Sequence, residues 1–325
     1  MNFSFSIDDD VRVDNIQNLL EVAESWKNNS FDVEVNKNRF HMNNDGSVRV
    51  KEGSSEHILL PTDTAVTQLL NKLPGCPTIP SRFASQIPAD LVAYNVNRLI
   101  MDASEENLVF RCRTRDDGVS ILRGIVTEKY SPLSHCEVLE KAIMLNNLMG
   151  FKEAKKSYMT DDFIRLCTVS DSFKTEFTPG DITKFGFQVV NGETGLRRFE
   201  LKLYCYRLIC QNGLVIPEEF GGVSKRHIGD VMTAFGSGIG SIYSSIFKFK
   251  EEFNKIMRKP ISVLNMSSRS KISELLTPKE EVILYESSDN VFNYIQSVTE
   301  AGKAFSEQVR TSVEEAAGQL LLAAA

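Results

Sequence analysis

The sequence predicts an α+β protein: a mostly antiparallel sheet in hairpin-helix order, flanked by helices, with a helical C-terminal extension. Three observations carry this. Between residues 108 and 216, short β-rich runs are separated mainly by glycine turns rather than by helices. Only one stretch there is long enough for the crossover that parallel strands need. Apolar residues at steps of three and four mark helices before, within and after that region.

The elements follow in order. Residues 31–35, 39–42 and 47–50 read as short strands, with the turn Asn43-Asn44-Asp45-Gly46 between the last two, because glycine accepts positive φ. Lys51 to Glu56 reads as a polar connector. From Pro61 to Ile100 the chain reads as helical. Ala65, Val66, Leu69, Leu70 and Leu73 keep helical spacing behind the capping oxygens of Thr62 and Asp63. Pro74-Gly75 stops that helix, Gly75 to Pro80 is a rigid link, and a second helix starts near Pro88 with Leu91, Tyr94, Val96 and Leu99 apolar. The break is too long for a DNA-reading helix-turn-helix, whose turn is about three or four residues, so the two read as packing helices.

Leu108 to Tyr130 is a hairpin about Asp117-Gly118, a type I′ signal. A helix starts at Ser134 or His135, carries Val138, Leu139, Ile143, Met144 and Leu148, and stops at Gly150. Residues 163–169, 184–190 and 196–210 read as strands. Thr178-Pro179-Gly180-Asp181 is a type II turn, and Asn212-Gly213 turns the chain again. A long helix follows Gly222 and ends at Pro260. Ser262 to Ser273 reads as a linker. Beyond it, Val291, Ile295, Val298, Phe305 and Val309 form a coiled-coil-like seam, interrupted at Gly302 and Ser312. The expected regions are 1–57, strand-rich; 58–260, the α+β core; and 261–325, linker and C-terminal helices.

Composition sets outer bounds. The 325 residues are 42% apolar and 25% charged, ordinary globular values that exclude a wholly disordered or fibrous chain. Lys and Arg number 37 against 43 Asp and Glu, a net charge of −6. Any nucleic-acid binding must therefore come from a local patch. Residues 109–234 carry 18 Lys/Arg against 16 Asp/Glu, while the remainder carries 19 against 27, so the middle is less acidic than its flanks. The first ten residues have neither the basic nor the apolar region of a signal peptide, and no apolar run reaches about 18 residues, so no membrane association is expected. Six irregularly spaced cysteines and four scattered histidines build neither a disulfide framework nor a zinc site. The expected setting is a reducing cytoplasm, without metal or cofactor. There is no P-loop, and the glycine string Gly236-Ser-Gly-Ile-Gly240 lies inside a helical pattern, where it serves packing.

Three segments occur in the order Arg123-Gly-Ile-Val-Thr-Glu-Lys-Tyr-Ser-Pro-Leu133, Arg207-Leu-Ile-Cys-Gln-Asn-Gly-Leu-Val215 and Arg226-His-Ile-Gly229. Together they resemble a phage/plasmid-like protein family defined only as a domain of unknown function. The match is to an Arg-x-x-x-Ser-x-x-Tyr-x-Pro segment, an Arg-Leu-x-Cys-x-Asn-Gly segment and an Arg/Lys-His-x-Gly segment. Thr127 stands here for the Ser, and Ile228 where Thr is common. The resemblance implies occurrence in phages and mobile elements, amid DNA metabolism, with no established activity. The hairpin, helix and strand order is also similar in topology to single-strand annealing proteins that form rings on DNA.

Two basic groups are candidate nucleic-acid contacts. Arg111, Arg113 and Arg115 alternate along a strand, which puts them on one face over about 13 Å, a fit to successive phosphates. The competing reading is a face neutralised by nearby acids. Lys225, Arg226 and His227 open the long helix in this reading, where backbone N–H groups favour an anion. The aromatic pairs Phe185/Phe187 and Tyr204/Tyr206 would stack on bases if exposed, but belong to the core by ordinary statistics. No catalytic motif is present, so catalytic residues stay unknown. Glu128, Asp161, Asp162, Asp181 and His227 would form a metal-dependent nuclease set only if the fold gathered them. The function expected is therefore non-enzymatic nucleic-acid binding, single-stranded DNA favoured, in replication or recombination, by a homo-oligomer held through the C-terminal seam or packed back on itself. A metal-dependent nucleic-acid enzyme and a virion or assembly scaffold are the alternatives.

Overall fold

A computed structural model of the protein describes residues 11–13, 15–37, 39–73, 86–103, 106–151, 153–154 and 156–325. The first ten residues, the stop at Pro74-Gly75 and the rigid link to Pro80 lie outside the described residues.

Two sheets make the frame. The first has the order β2-β6-β7-β5-β4-β3: β2 (Ser30–Asn36), β3 (Phe40–Met42), β4 (Val48–Glu52), β5 (Ser55–Pro61), β6 (Asn107–Thr114) and β7 (Ser120–Thr127). All its pairings are antiparallel except β5 with β7. That parallel step uses the crossover containing α2 (Asp63–Lys72) and α3 (Ala89–Met101), which close one core over Phe110, Leu122 and Ile125. Thr62 caps α2 by accepting from the Ala65 N–H.

The second sheet runs β1-β9-β10-β11-β12-β13, with β8 (Glu153–Ala154) on β10 and β14 (Gly222–Lys225) on β12. Its path strands are β1 (Val11–Val13), β9 (Ser157–Met159), β10 (Phe163–Glu176), β11 (Ile182–Gly192), β12 (Phe199–Arg207) and β13 (Asn212–Val215). Its pairings are antiparallel. One face packs Phe185, Phe187, Leu201 and Leu203 against helices; the other holds Cys167, Val169, Tyr204 and Tyr206. Both aromatic pairs are thus core. The helices are α1 (Ile16–Asn28), α4 (His135–Met149), α5 (Met232–Met257), α6 (Met266–Leu275), α7 (Pro278–Glu286), α8 (Val291–Ala301) and α9 (Glu307–Ala324). One apolar core runs from Leu19 to Ala324 and takes in both sides of the expected division at 260.

Several local expectations are corrected. The chain from Lys51 to Glu56 is a tight hairpin, pairing Glu52 with Ser55 across a positive-φ Gly53. Gly118 has φ +81 but Asp117 is not left-handed, and Arg115 N–H bonds Val119 O, so the Asp117-Gly118 hairpin closes through a three-residue loop instead of type I′. Asn212-Gly213 lies in β13, with the turn just before it at Gln211. Residues 266–273 of the expected linker are helical, within a helix that runs to Leu275 and is pinned by the buried Arg269–Glu281 pair. In α3, Leu91 and Tyr94 face outward, while Val92, Ala93, Val96 and Ile100 are buried. Much of the C-terminal seam is covered by its own chain: Val291, Ile295 and Val298 are fully buried in the main core and Val309 packs against it, while Phe305 stays 40% exposed.

Gly238 shows what the glycine string does. A Cβ there would come within 2.6 Å of Val223 and 3.0 Å of Leu201, so its absence lets α5 lie against the sheet. Among the described residues, no helix is long and apolar enough to cross a membrane.

Candidate functional site

The site lies where β7 meets the second sheet. Arg111 pairs with Gly124, but Cys112 pairs with Leu122, so Arg123 is the extra residue of a bulge. A bulge re-aims its side chain, and here the guanidinium is buried, 2% exposed. Its Nε and Nη2 donate to the Asp161 carbonyl at 3.0 and 2.7 Å, and Nη2 lies 3.1 Å from the Glu193 carboxylate. Gly124 permits this approach, because a Cβ would meet Thr194 at 2.7 Å. Gln68 of α2 fastens the same junction, accepting from Ile125 N–H at 2.6 Å and donating to Thr194 O at 2.7 Å.

Beside this junction is an open cleft of about 450 Å³. Among the described residues, five cations line it, Lys72, Lys129, Arg197, Arg198 and Arg226, and no Asp or Glu does. Tyr130 forms part of the wall, its hydroxyl donating to Gly192 O at 2.6 Å. The His227 ring stacks on it, centroids 5.1 Å apart, and Arg111 stands 5.9 Å from the centre of the Tyr130 ring. Ser131 N–H donates to His227 O at 2.9 Å, and Gly229 N–H donates to Ser131 Oγ at 3.0 Å. The first and third of the resembling segments, about a hundred positions apart, therefore meet at one wall. The second does not. Arg207 holds Asp181 through two bonds of 2.5 Å and lies over Phe292, and Asn212 donates to Thr299 at 3.1 Å, so that segment buttresses the C-terminal helices.

Burial sets the protonation states. It pushes His135 down to about 4, with Arg123, Arg111 and His227 adding to the effect against Glu193. His135 is thus neutral at neutral pH, and its 3.8 Å approach to Glu193 is no ion pair there. Its backbone N–H does donate to that carboxylate at 2.7 Å. Burial alone would raise Glu193, but His135, Arg123, the His135 N–H and Arg111 outweigh it and hold the carboxyl at about 2. His227 is lowered, first by burial and then by Arg111, although the Ser131 backbone and Glu193 favour its proton. His227 is 4% exposed, and neither ring nitrogen has a partner at full hydrogen-bond geometry.

The predicted contacts are placed as follows. Arg111 lies 3.3 Å from Asp32 on β2. Arg113 is buried; its Nε and Nη2 donate to Asp161 Oδ1 at 3.1 and 2.9 Å, and it covers the Trp26 ring at 4.1 Å. Arg115 lies 3.9 Å from Asp117. The stripe is therefore not one free cationic face: each member meets a carboxylate, and Arg113 is closed to a surface ligand. Lys225, Arg226 and His227 do not open a helix. Lys225 ends β14, because Gly221 and Gly222 at φ +136 and +135 carry the chain back onto β12, and α5 begins only at Met232. These residues therefore have no helix N-terminus behind them. Lys225 donates to Asp230 O, while Arg226 and His227 reach the cleft.

Sequence reasoning missed Lys72, Lys129, Arg197 and Arg198. A signal existed for three: Arg197-Arg198 is a basic pair after the turn at Gly195, and Lys129 lies inside the first resembling segment. The acidic set is not gathered. Asp161 serves Arg113 and Arg123, Asp162 accepts from Thr64 at 2.6 Å, and Asp181 holds Arg207. Among the described residues, no group of three or more His, Cys, Asp or Glu is placed to hold a metal ion.

Residues 123–311, more than half of the chain, match the family described as a domain of unknown function, DUF932. The chain belongs to that family. No curated protein and no solved structure matches it.

Proposed function

We propose that this DUF932 chain binds single-stranded nucleic acid, DNA in preference, along the basic cleft, and assists replication or recombination in a phage or other mobile element. One observation supports the reading above all: among the described residues, five cations and no carboxylate line a single cleft of a protein whose net charge is −6. Such focused charge attracts phosphates against the overall field. The mobile-element setting, and with it a host cytoplasm, comes from the resembling segments. The proposed role is binding and annealing rather than catalysis. A homo-oligomer would multiply one modest cleft along a strand and gain avidity without new contacts.

The test is a salt titration of a fluorescent oligo-dT 30-mer followed by anisotropy. Five neutralised phosphates give a slope of about −3.5 on a double-logarithmic plot, or a hundredfold affinity loss between roughly 50 and 200 mM salt. The Arg197→Ala/Arg198→Ala/Arg226→Ala variant should flatten that slope to about −1.4. No binding at the lower salt, or an unchanged slope in the variant, would overturn the proposal.

A further inference from the structure

The cleft is not uniformly polar. Arg198, Arg226 and Lys129 are exposed at its rim. Leu196 and Ile228 are apolar lining residues that nevertheless stand 42% and 59% exposed. Deeper in the wall is His227, whose ring is fixed in plane by the stack on Tyr130 and whose backbone is tied to Ser131. A neutral imidazole offers one donor and one acceptor. Here neither nitrogen has a partner at full hydrogen-bond geometry, although the Ser131 backbone lies near enough to favour its proton and the residue is 4% exposed, a state that native structures rarely keep without a reason. The order from rim to wall is cation, apolar contact, polar edge.

We infer that the cleft takes one nucleotide unit of the bound strand with its base turned inward: the rim cations hold its phosphate, Leu196 and Ile228 contact its flat faces, and His227 hydrogen-bonds its edge. This rests on the single-strand reading above and adds to it how the strand is gripped. The volume of about 450 Å³ falls within the range of small-molecule sites, roughly 300–1,000 Å³, and suits a unit of this size. Every nucleobase presents both an apolar face and a polar edge, so the arrangement recognises nucleotides as a class and not a sequence. The His227 nitrogens are closed off from solvent, so a base edge reaches them only when wall side chains of the cleft move aside. Arg113 and Arg123 take no part, being committed to Asp161 and Glu193.

The experiment follows the side-chain imidazoles of the full chain by nitrogen-15 NMR during titration with dTMP. The chain has four histidines, and His227→Phe, which keeps a ring against Tyr130, assigns the His227 signals. The ring nitrogens of His227 should shift on adding dTMP, and those of the remote His41 and His57 should not. His227→Phe should weaken dTMP by about fivefold, one neutral hydrogen bond, and leave the salt slope for the 30-mer unchanged. An oligonucleotide of abasic residues should bind more weakly than oligo-dT of the same length. If the 30-mer binds with a steep salt slope while dTMP leaves His227 unmoved, or the abasic strand binds equally well, the inward base is refuted and the cleft remains a phosphate groove. If the 30-mer does not bind at all, the single-strand reading itself fails. Should His227→Phe fail to fold, the wild-type titration and the abasic comparison still decide.

Discussion

Replacing Asp161 by Asn should cost about 3 kcal/mol, because the carboxylate joins two sheets through buried charge. Asp161 is fully buried, and Arg113 and Arg123 beside it are 5% and 2% exposed. Both arginines come from the first sheet, whereas Asp161 shortly precedes β10 of the second. Removing one partner of a buried pair typically costs about 3–5 kcal/mol, since the remaining charge stays desolvated. The lower end applies here: Asn keeps an accepting oxygen, and Arg123 keeps Glu193 and the Asp161 carbonyl. Urea unfolding measures the loss. The chain has one tryptophan, and Arg113 lies 4.1 Å from the centre of its ring, so Trp26 fluorescence reports on this junction directly. Adding Arg113→Met to Asp161→Asn should recover part of the loss, because a buried pair exchanged for apolar groups is often neutral. A variant within about 0.5 kcal/mol of wild type, as for ordinary surface substitutions, would refute the reasoning. So would a double variant worse than the sum of its parts. The outcome also assigns Arg113: on this basis Arg113→Ala harms nucleic-acid binding only by unsettling the fold.

Four further outcomes are expected. His135 titrates near 4 when folded against an ordinary 6.5, so the unfolded chain takes up the proton first; about 3 kcal/mol of stability present above pH 6.5 should drain away as pH falls toward 4. Chemical denaturation across that window checks this, and a wild-type profile no steeper than that of His135→Gln would contradict it. Below that, Glu193 and Glu314, both held at about 2 against a usual 4.5, should add further loss between roughly pH 4.5 and 2, seen as a second phase in acid unfolding followed by circular dichroism. Gly186→Ala should fold poorly or not at all, since its Cβ would fall 1.8 Å from the Thr168 carbonyl oxygen in the paired strand; soluble yield and melting temperature equal to wild type would overturn that. Ser134→Ala breaks the capping box with Glu137 at the start of α4 and should cost about 1 kcal/mol by thermal denaturation.

Local chemistry was legible where a few neighbouring residues decide the outcome. Asn43 to Gly46 turns with Gly46 at φ +88, and Gly180 takes φ +85 in its type II turn. Ser134 and Gly150 bound α4 as glycine and capping rules require. The alternation of Arg111, Arg113 and Arg115 was also legible, but their partners were not. Asp161 lies 48 positions from Arg113, and no local pattern announces it. The helix start at Lys225 failed for a related reason. Two successive left-handed glycines fold the segment back as a sheet strand, and sequence spacing records only that glycines are there. The cleft is the clearest case: Lys72, Lys129, Arg197 and Arg226 arrive from four separate stretches, each unremarkable alone. The seam from Val291 to Val298 was correctly read as needing cover, but whether its own chain supplied that cover depended on β13, the long helix α5 and α9, elements set far apart in the sequence.

That core has a consequence for how the chain is made. The smaller core, from Val33 to Ile125, is complete once β7 has left the ribosome. The larger one draws on Leu19 at one end and Leu321 and Ala324 at the other. Helix α1 emerges early, yet its apolar face waits for α4 to pack against it, and the buried Arg165 of β10 waits for Glu314 of α9. At roughly 5–20 residues per second, synthesis of the intervening chain takes on the order of ten seconds or more, during which one sheet is finished and the other still exposes a guanidinium and an apolar face. Synthesis thus imposes an order of assembly, and α9 closes both the charge and the core of strands made well before it.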